Sequence, residues 1–261
     1  MKTIYIIAMA CLLLPGPGCK KSESTTAVGD RLVSLTVKKL ITNSISYTRK
    51  YTYDASGNLI TLDHASGENI YTFSYNSQGR LQSVKLVQSL TTDIMINSFV
   101  YDVTGKIIRK TGTPLLPNLE IDDHTYGYDG IGRLVADNQH YRQTATISGY
   151  RAFVYDDNDD ISEQRFFFVD ASGTATLEGG IAYTYDYKLN PFNKIRVPSY
   201  MTNEDIFYLS KHNVVSTTAI SGPGQYLTPT IYTYTNIDLP QTATFGTPAD
   251  TNWERWEFSY E

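Results

Sequence analysis

Aromatic residues spaced two apart recur along the chain, and each set runs into the same polar break. Tyr51-Thr52-Tyr53-Asp54 leads to Gly57-Asn58-Leu59, and Phe73-Ser74-Tyr75-Asn76 to Gly79-Arg80-Leu81. Phe99-Val100-Tyr101-Asp102 leads to Gly105-Lys106-Ile107, and Tyr126-Gly127-Tyr128-Asp129 to Gly132-Arg133-Leu134. Side chains alternate across a strand with period 2, so Tyr71, Phe73 and Tyr75 share one face while Thr72 and Ser74 take the other. The Asp or Asn opens a turn, because its side-chain oxygen accepts backbone N–H groups two residues on. The Gly falls where a three-residue hairpin loop needs positive φ. Leu or Ile restarts the return strand, so each copy reads as strand, turn, strand.

Weaker copies extend the array. Phe153-Val154-Tyr155-Asp156 has Asp159 in the glycine slot, then Ile161. Phe207-Tyr208 has His212 there, then Asn213-Val214, and Tyr232-Thr233-Tyr234 has Asp238. Asp and His are among the few residues besides Gly enriched at positive φ, so these replacements respect the turn. Tyr183-Thr184-Tyr185-Asp186 departs, with Leu189 in the slot and Asn190-Pro191 after it. A longer turn is expected there, with Asn190 in the left-handed position. Trp256-Glu257-Phe258-Ser259-Tyr260 closes the series.

The nine key tyrosines are Tyr53, Tyr75, Tyr101, Tyr128, Tyr155, Tyr185, Tyr208, Tyr234 and Tyr260, at gaps of 22, 26, 27, 27, 30, 23, 26 and 26 residues. A period near ~26 is that of a repeat architecture, and nine hairpins give about 17–18 strands. Leu32 to Ile41, rich in Val, Leu and Thr, reads as the opening strand. Twisted open sheets rarely exceed ~10 strands. The fold class is therefore all-β: an antiparallel meander of repeated β-hairpins, forming a strongly curved sheet or a partial or closed barrel, aromatic face inward.

The motif resembles the YD repeat of the Rhs and teneurin family, over roughly residues 47–260. The resemblance implies a hairpin array whose turns rest on Asp54, Gly57, Asn76, Gly79, Asp102, Gly105, Asp129 and Gly132. In large members such arrays form shells around a toxin or adhesive surfaces. This chain has no room for a toxin domain, and its repeats are too few for a closed shell. It is more similar to short repeat-bearing lipoproteins of Gram-negative bacteria.

The amino terminus supports that comparison. Lys2 and the apolar run Ile4 to Leu14 read as an export signal over residues 1–18, since the run is shorter than the ~20 residues a spanning helix needs. Leu14-Pro15-Gly16-Pro17-Gly18-Cys19 resembles a lipobox, with Cys19 as the lipidated residue, although Gly16 and Pro17 depart from its usual pattern. Residues 19–29 read as the lipidated N-terminus and a Ser/Thr-rich tether, and residues 30–261 as a single YD-repeat β domain. The only cysteines are Cys11 and Cys19, so the mature chain has no disulfide and no Cys-metal site. The absence of an acidic run after Cys19 favours a periplasm-facing anchor over the cell surface.

Removing 18 of the 261 residues leaves 243, enough for one domain with a sizeable core. Net charge is −5 and no basic stripe interleaves with the aromatics, which argues against nucleic acid. Pro114 to Pro117, Gly222-Pro223-Gly224 and Asn236 to Pro248 read as loops between repeats.

Chemistry-bearing residues are sparse. Asp156, Asn158 and Asp160 match the start of a calcium loop, since oxygens at alternate positions can wrap a hard cation. Ile161 and Phe167 stand where that loop needs Gly and a bidentate Glu, so a repeat turn with extra acids is the better reading. Of His64, His124, His140 and His212, none pairs with another at ligand spacing. Asp122-Asp123-His124 reads as a solvated loop rather than a partial ligand set, and His212 as a turn residue. No nucleophile elbow and no phosphate-cradling loop is present, and Glu254 and Glu257 read as exposed strand positions. No metal and no cofactor is called for.

Four functional readings follow. The first is a non-catalytic, lipid-anchored envelope protein of the outer membrane, a scaffold for a protein or glycan partner. The second is a carrier holding a lipid or glycan on a concave aromatic face, which needs a half-closed sheet with an open edge and an apolar cleft. An integral outer-membrane barrel is third, although strands alternating aromatics with Ser and Thr lack a lipid-facing belt. An enzyme is fourth.

Overall fold

The computed structural model describes residues 29–64, 67–89, 91–117, 122–140, 146–195, 205–221, 227–251 and 253–261. The segments read as export signal and tether up to residue 28, Cys19 among them, and Gly222-Pro223-Gly224 lie outside them. Sixteen strands follow one another: β1 (Leu32–Lys39), β2 (Ser44–Tyr53), β3 (Leu59–His64), β4 (Asn69–Tyr75), β5 (Leu81–Gln88), β6 (Thr92–Tyr101), β7 (Ile107–Pro114) and β8 (Asp122–Tyr128). Then come β9 (Leu134–His140), β10 (Ile147–Tyr155), β11 (Ile161–Val169), β12 (Ala175–Leu189), β13 (His212–Ser221), β14 (Leu227–Tyr234), β15 (Pro240–Phe245) and β16 (Glu254–Tyr260). Each pairs antiparallel with its chain neighbours, and β1 pairs with β16, so the meander closes into a barrel. Closure removes the free edges that an open sheet leaves.

The turns form as the pattern predicts. Asp54 Oδ1 accepts from the amides of Ser56 and Asn58 at 2.9 and 2.8 Å, and Asn76, Asp102 and Asp129 repeat the arrangement. Gly57, Gly79, Gly105 and Gly132 all have positive φ, and Asp159 and Asp238 take the same conformation at 64° and 61°.

A β-bulge sits at the repeat tyrosines: Thr52 pairs with Thr61 but Tyr53 with Leu59, so Ile60 is the extra residue. The bulge turns Leu59 and Leu62 to the same side although they are three apart, and both are buried. The tyrosine hydroxyls then tie repeat to repeat. Tyr53 donates to the Leu32 carbonyl, Tyr75 to Leu59, Tyr101 to Leu81, Tyr128 to Ile107, Tyr155 to Leu134, Tyr185 to Ile161 and Tyr260 to Pro240, at 2.6–2.9 Å. Tyr234 departs and donates to the Asp186 carboxylate. Burial raises the hydroxyl pKa of Tyr75 to about 12, so these groups stay protonated donors. Arg80, Lys106 and Arg133, each just after its turn glycine, lie over the rings of Tyr101, Tyr128 and Tyr155 at 5.6, 5.2 and 4.5 Å.

The seventh copy is a correction. Phe207 and Tyr208 lie in a short helix, α1 (Asp205–Leu209), and not in a strand, which is why sixteen strands are seen rather than 17–18. Adjacent aromatics would point to opposite faces of a strand. On a helix they reach two clusters at once: Tyr208 packs with Leu35, Phe73 and Trp256, Ile206 with Tyr126, Phe153 and Val214. Nor is Asn190 left-handed; it is extended (φ −81°) and caps a 3₁₀ turn, Pro191–Lys194. Its amide nitrogen donates to the carbonyls of Phe207 and Ser210, fastening that turn to α1. His212 opens β13 and is absent from the positive-φ residues, so the expected turn role fails. The 3₁₀ turn and α1, between β12 and β13, thus plug the barrel end that carries the repeat turns. Phe192 is buried there against Phe207, Tyr208, Trp256 and Phe258, with centroids 5.4–6.2 Å apart.

Candidate functional site

Counting back from each repeat tyrosine gives the inner layers. Two residues back, every strand carries an aromatic: Tyr51, Phe73, Phe99, Tyr126, Phe153, Tyr183, Tyr232 and Phe258. Four residues back the wall changes character, with Asn97 on β6, His124 on β8 and Arg151 on β10. The return strands match this. Three residues after their first apolar residue stand Leu35, Leu62, Val84 and Ala243 on one side of the barrel, but Lys110, Asp137 and Gln164 on the other, all buried. Strands β6 to β11 therefore contribute one continuous polar sector to the interior.

Five ionisable groups run along that sector in alternating sign. Lys110 Nζ donates to Asp122 Oδ2 at 2.7 Å, and Asp122 Oδ1 meets His124 Nε2 at 2.6 Å. His124 Nδ1 meets Asp137 Oδ1 at 2.5 Å, and Asp137 Oδ2 accepts from Arg151 Nε at 3.1 Å and from its terminal nitrogen. Burial opposes the charge on His124, but the Asp122 and Asp137 carboxylates outweigh it and raise its pKa. Burial likewise works against ionisation of Asp122 and Asp137; His124, with Lys110 for one and Arg151 for the other, overcomes it and lowers both. Asp122 and His124 thus lie inside a barrel on β8, where the sequence suggested a solvated loop. Asp123 faces the other way, with its buried carboxylate held by Arg109 and Thr111 on the outer wall.

Above the sector lies a cavity of about 600 Å³, between β4 and β12. Tyr71, Phe166 and Phe168 supply aromatic walls, the charged chain and Gln139 supply polar groups, and Glu178 stands at the mouth. It opens at the rim opposite the repeat turns, where β5, β9 and β11 end. Asn97 also lines it, and its Oδ1 is buried without a hydrogen-bond partner, the residue being 6 % exposed. Gly112, opposite Asn97 on β7, makes room for it: a Cβ there would fall 2.7 Å from Asn97 Oδ1. Sixteen strands enclose more space than these side chains fill, so closure leaves a chamber above the plug.

The residues singled out in the sequence have other duties. Asp54, Gly57, Asn76, Gly79, Asp102, Gly105, Asp129 and Gly132 line the plugged rim as turn residues, and Arg133 beside Asp129 lowers its pKa to about 2. Asp156, Asn158 and Asp160 do not converge. Asp156 Oδ1 accepts from the amides of Asn158 and Asp160, and Asp160 accepts from the amides of Lys211 and His212, anchoring the exit of the plug. Glu257 pairs with Lys38 on the outer wall. The inward alternation from Tyr128 through Tyr126 to His124 and Asp122 was the signal that could have found the interior chain.

Residues 53–91 match the RHS Repeat family model, the segment holding two of the best copies of the motif. No curated protein matches the chain. Two solved structures resemble it over nearly their whole length. A porin-like protein from Bacteroides uniformis ATCC 8492 aligns with a TM-score of 0.55 and 12 % identity, over 88 % of this chain and 96 % of that one. A porin-like protein from Bacteroides vulgatus ATCC 8482 aligns with a TM-score of 0.53 and 14 % identity, over 88 % and 99 %. At such identity the likeness is one of fold.

Proposed function

We propose that this RHS-repeat barrel is a non-catalytic binding protein of the cell envelope that holds a small polar ligand in the open mouth of its interior. The observation that carries the reading is the chamber of about 600 Å³ above the plug, with aromatic walls and a few convergent polar groups. Small-ligand sites take that form, at ~300–1,000 Å³. Catalysis finds little support in the same place. The ionisable groups of the polar sector are tied to one another, and Ser148 donates to the Gln139 carbonyl rather than to a histidine.

Anchoring fits the geometry. The described chain begins beside its end, with the Arg31 amide donating to the Glu261 carbonyl at the plugged rim. A lipid on Cys19 would tether that rim, and the mouth would face away from the bilayer. The outer wall favours water over lipid. It carries Thr184 against Ser216, Thr233 against Thr242, Lys38 against Glu257 and Lys85 against Asp93, with scattered apolar positions such as Val100 and Ile231. A lipid-spanning barrel needs a continuous apolar belt there.

The test is to purify the chain from Ser22 onward without detergent and examine it by native mass spectrometry. A soluble, monodisperse barrel carrying or taking up a small molecule is expected. A barrel that stays in solution only within detergent micelles returns the integral-barrel reading. A soluble barrel that takes up none returns the scaffold reading.

A further inference from the structure

Resting on that reading, we propose that the ligand is an uncharged saccharide of one or two sugar rings, its hydroxyls read by Asn97 and the Lys110–Asp122–His124–Asp137–Arg151 chain and its ring faces packed on Phe166 and Phe168.

Charge is the first argument. Lys110, Arg151 and the doubly held His124 face Asp122, Asp137 and Glu178 around the same space, and each of these three cations already has a carboxylate. A charged ligand would have to displace one of these partners and leave a buried charge unpaired, which is strongly unfavourable. An uncharged hydroxyl needs no displacement. It can donate to a carboxylate lone pair and accept from a cation, and a ring bearing several hydroxyls meets that alternation repeatedly.

Asn97 is the second argument. The residue lines the chamber at 6 % exposure, and its Oδ1, buried without a hydrogen-bond partner, lies over Gly112, which leaves the space it occupies. A buried acceptor without a donor is costly, so a ligand O–H or N–H that reaches Asn97 from the chamber gains a hydrogen bond there.

The surroundings choose among uncharged ligands. A lipid tail would be laid on the charged sector at a desolvation cost, which removes the lipid from the carrier reading. A peptide binding as an added strand needs a free sheet edge, and the closed barrel has none. A sugar combines hydroxyl rims with C–H faces, and Phe166, Phe168 and Tyr71 line the chamber beside the polar sector.

The experiment is titration calorimetry of the chain from Ser22 with cellobiose, maltose and N,N′-diacetylchitobiose. Digalacturonic acid, triglycine and a short-chain phosphatidylcholine serve as contrasting probes. At least one neutral disaccharide should bind, and Asn97→Ala and Phe168→Ala should each weaken it tenfold or more. Phe168 is 49 % exposed, so its variant should keep the wild-type melting temperature and report on binding even if Asn97→Ala fails to fold. Binding of only the acid, the peptide or the lipid, lost in Phe168→Ala, overturns the saccharide assignment while keeping the chamber as a site. Disaccharide binding untouched by Phe168→Ala overturns it as well. If every probe fails and native mass spectrometry finds no bound molecule, both the saccharide and the ligand-binding reading fall.

Discussion

Replacing Asp137 by Asn should cost the stability of a broken buried ion pair. The carboxylate is 1 % exposed and accepts from His124 at 2.5 Å and from two nitrogens of Arg151. Asn keeps the shape but removes the negative charge between two cations. Breaking a buried pair by removing one partner typically costs about 3–5 kcal/mol. For a domain of this size, each kcal/mol lowers Tm by ~2–4 °C, so a fall of about 6–20 °C is expected. Urea unfolding followed by Trp256 fluorescence measures it as a lower midpoint at unchanged slope. The pH profile gives an independent sign. The folded pKa of His124 is raised, so its contribution is full below the unfolded value of ~6.5 and is lost as pH rises through the folded value. Those of Asp122 and Asp137 are lowered, so their contribution is present above ~4 and is lost as pH falls through the folded values. Wild-type stability from this chain should therefore peak between about pH 4 and 6.5. In Asp137→Asn, His124 keeps only Asp122, so its folded value lies lower and the alkaline decline should be smaller and complete at lower pH. A variant within about 1 kcal/mol of wild type, with the same alkaline limb, would refute the reasoning.

Three further substitutions test the scaffold. Tyr128→Phe removes a 2.6 Å bond to the Ile107 carbonyl and should lower unfolding free energy by about 1 kcal/mol in urea titration. Gly79→Ala should cost about 1–2 kcal/mol from backbone strain alone, because φ is +72° and a Cβ would meet nothing; Gly79→Asn should cost visibly less in the same titration. Phe192→Ala, in the plug, should cost about 3–5 kcal/mol by thermal unfolding, since four aromatic rings would line the void.

The rim of turns was legible because its chemistry is local. An Asp that accepts the amides two and four residues on, and a residue that tolerates positive φ, are both written within five positions. Asp159 and Asp238 could therefore be placed correctly without glycine. Phe207-Tyr208 misled because the interval to the next key tyrosine fitted the period. The adjacency of its aromatics, and Leu209 where Asp should stand, were the local contradictions. The interior charges were missed for a different reason. Lys110, Asp122, His124, Asp137 and Arg151 come from four consecutive strands, and only their pairing in the observed register sets them side by side. The pairing of β1 with β16 is the one long-range event.

Layering explains how one repeat can build both a shell and a site. The tyrosine layer is fixed by its bond to the preceding repeat, and the aromatic layer above it by packing, so substitution in either weakens neighbouring strands together. The next layer up has no such bond to keep. There the repeats carry Arg49, Tyr71, Asn97, His124, Arg151, Ile181, Thr230 and Trp256, a range no packing rule would select. Trp256 is covered by the plug, whereas Asn97, His124 and Arg151 face the chamber. The position four residues before the repeat tyrosine is thus where sequence can change without loosening the ladder below it. In a barrel of this kind, that layer sets the polarity of the chamber, and the plug decides which part of it a ligand can reach.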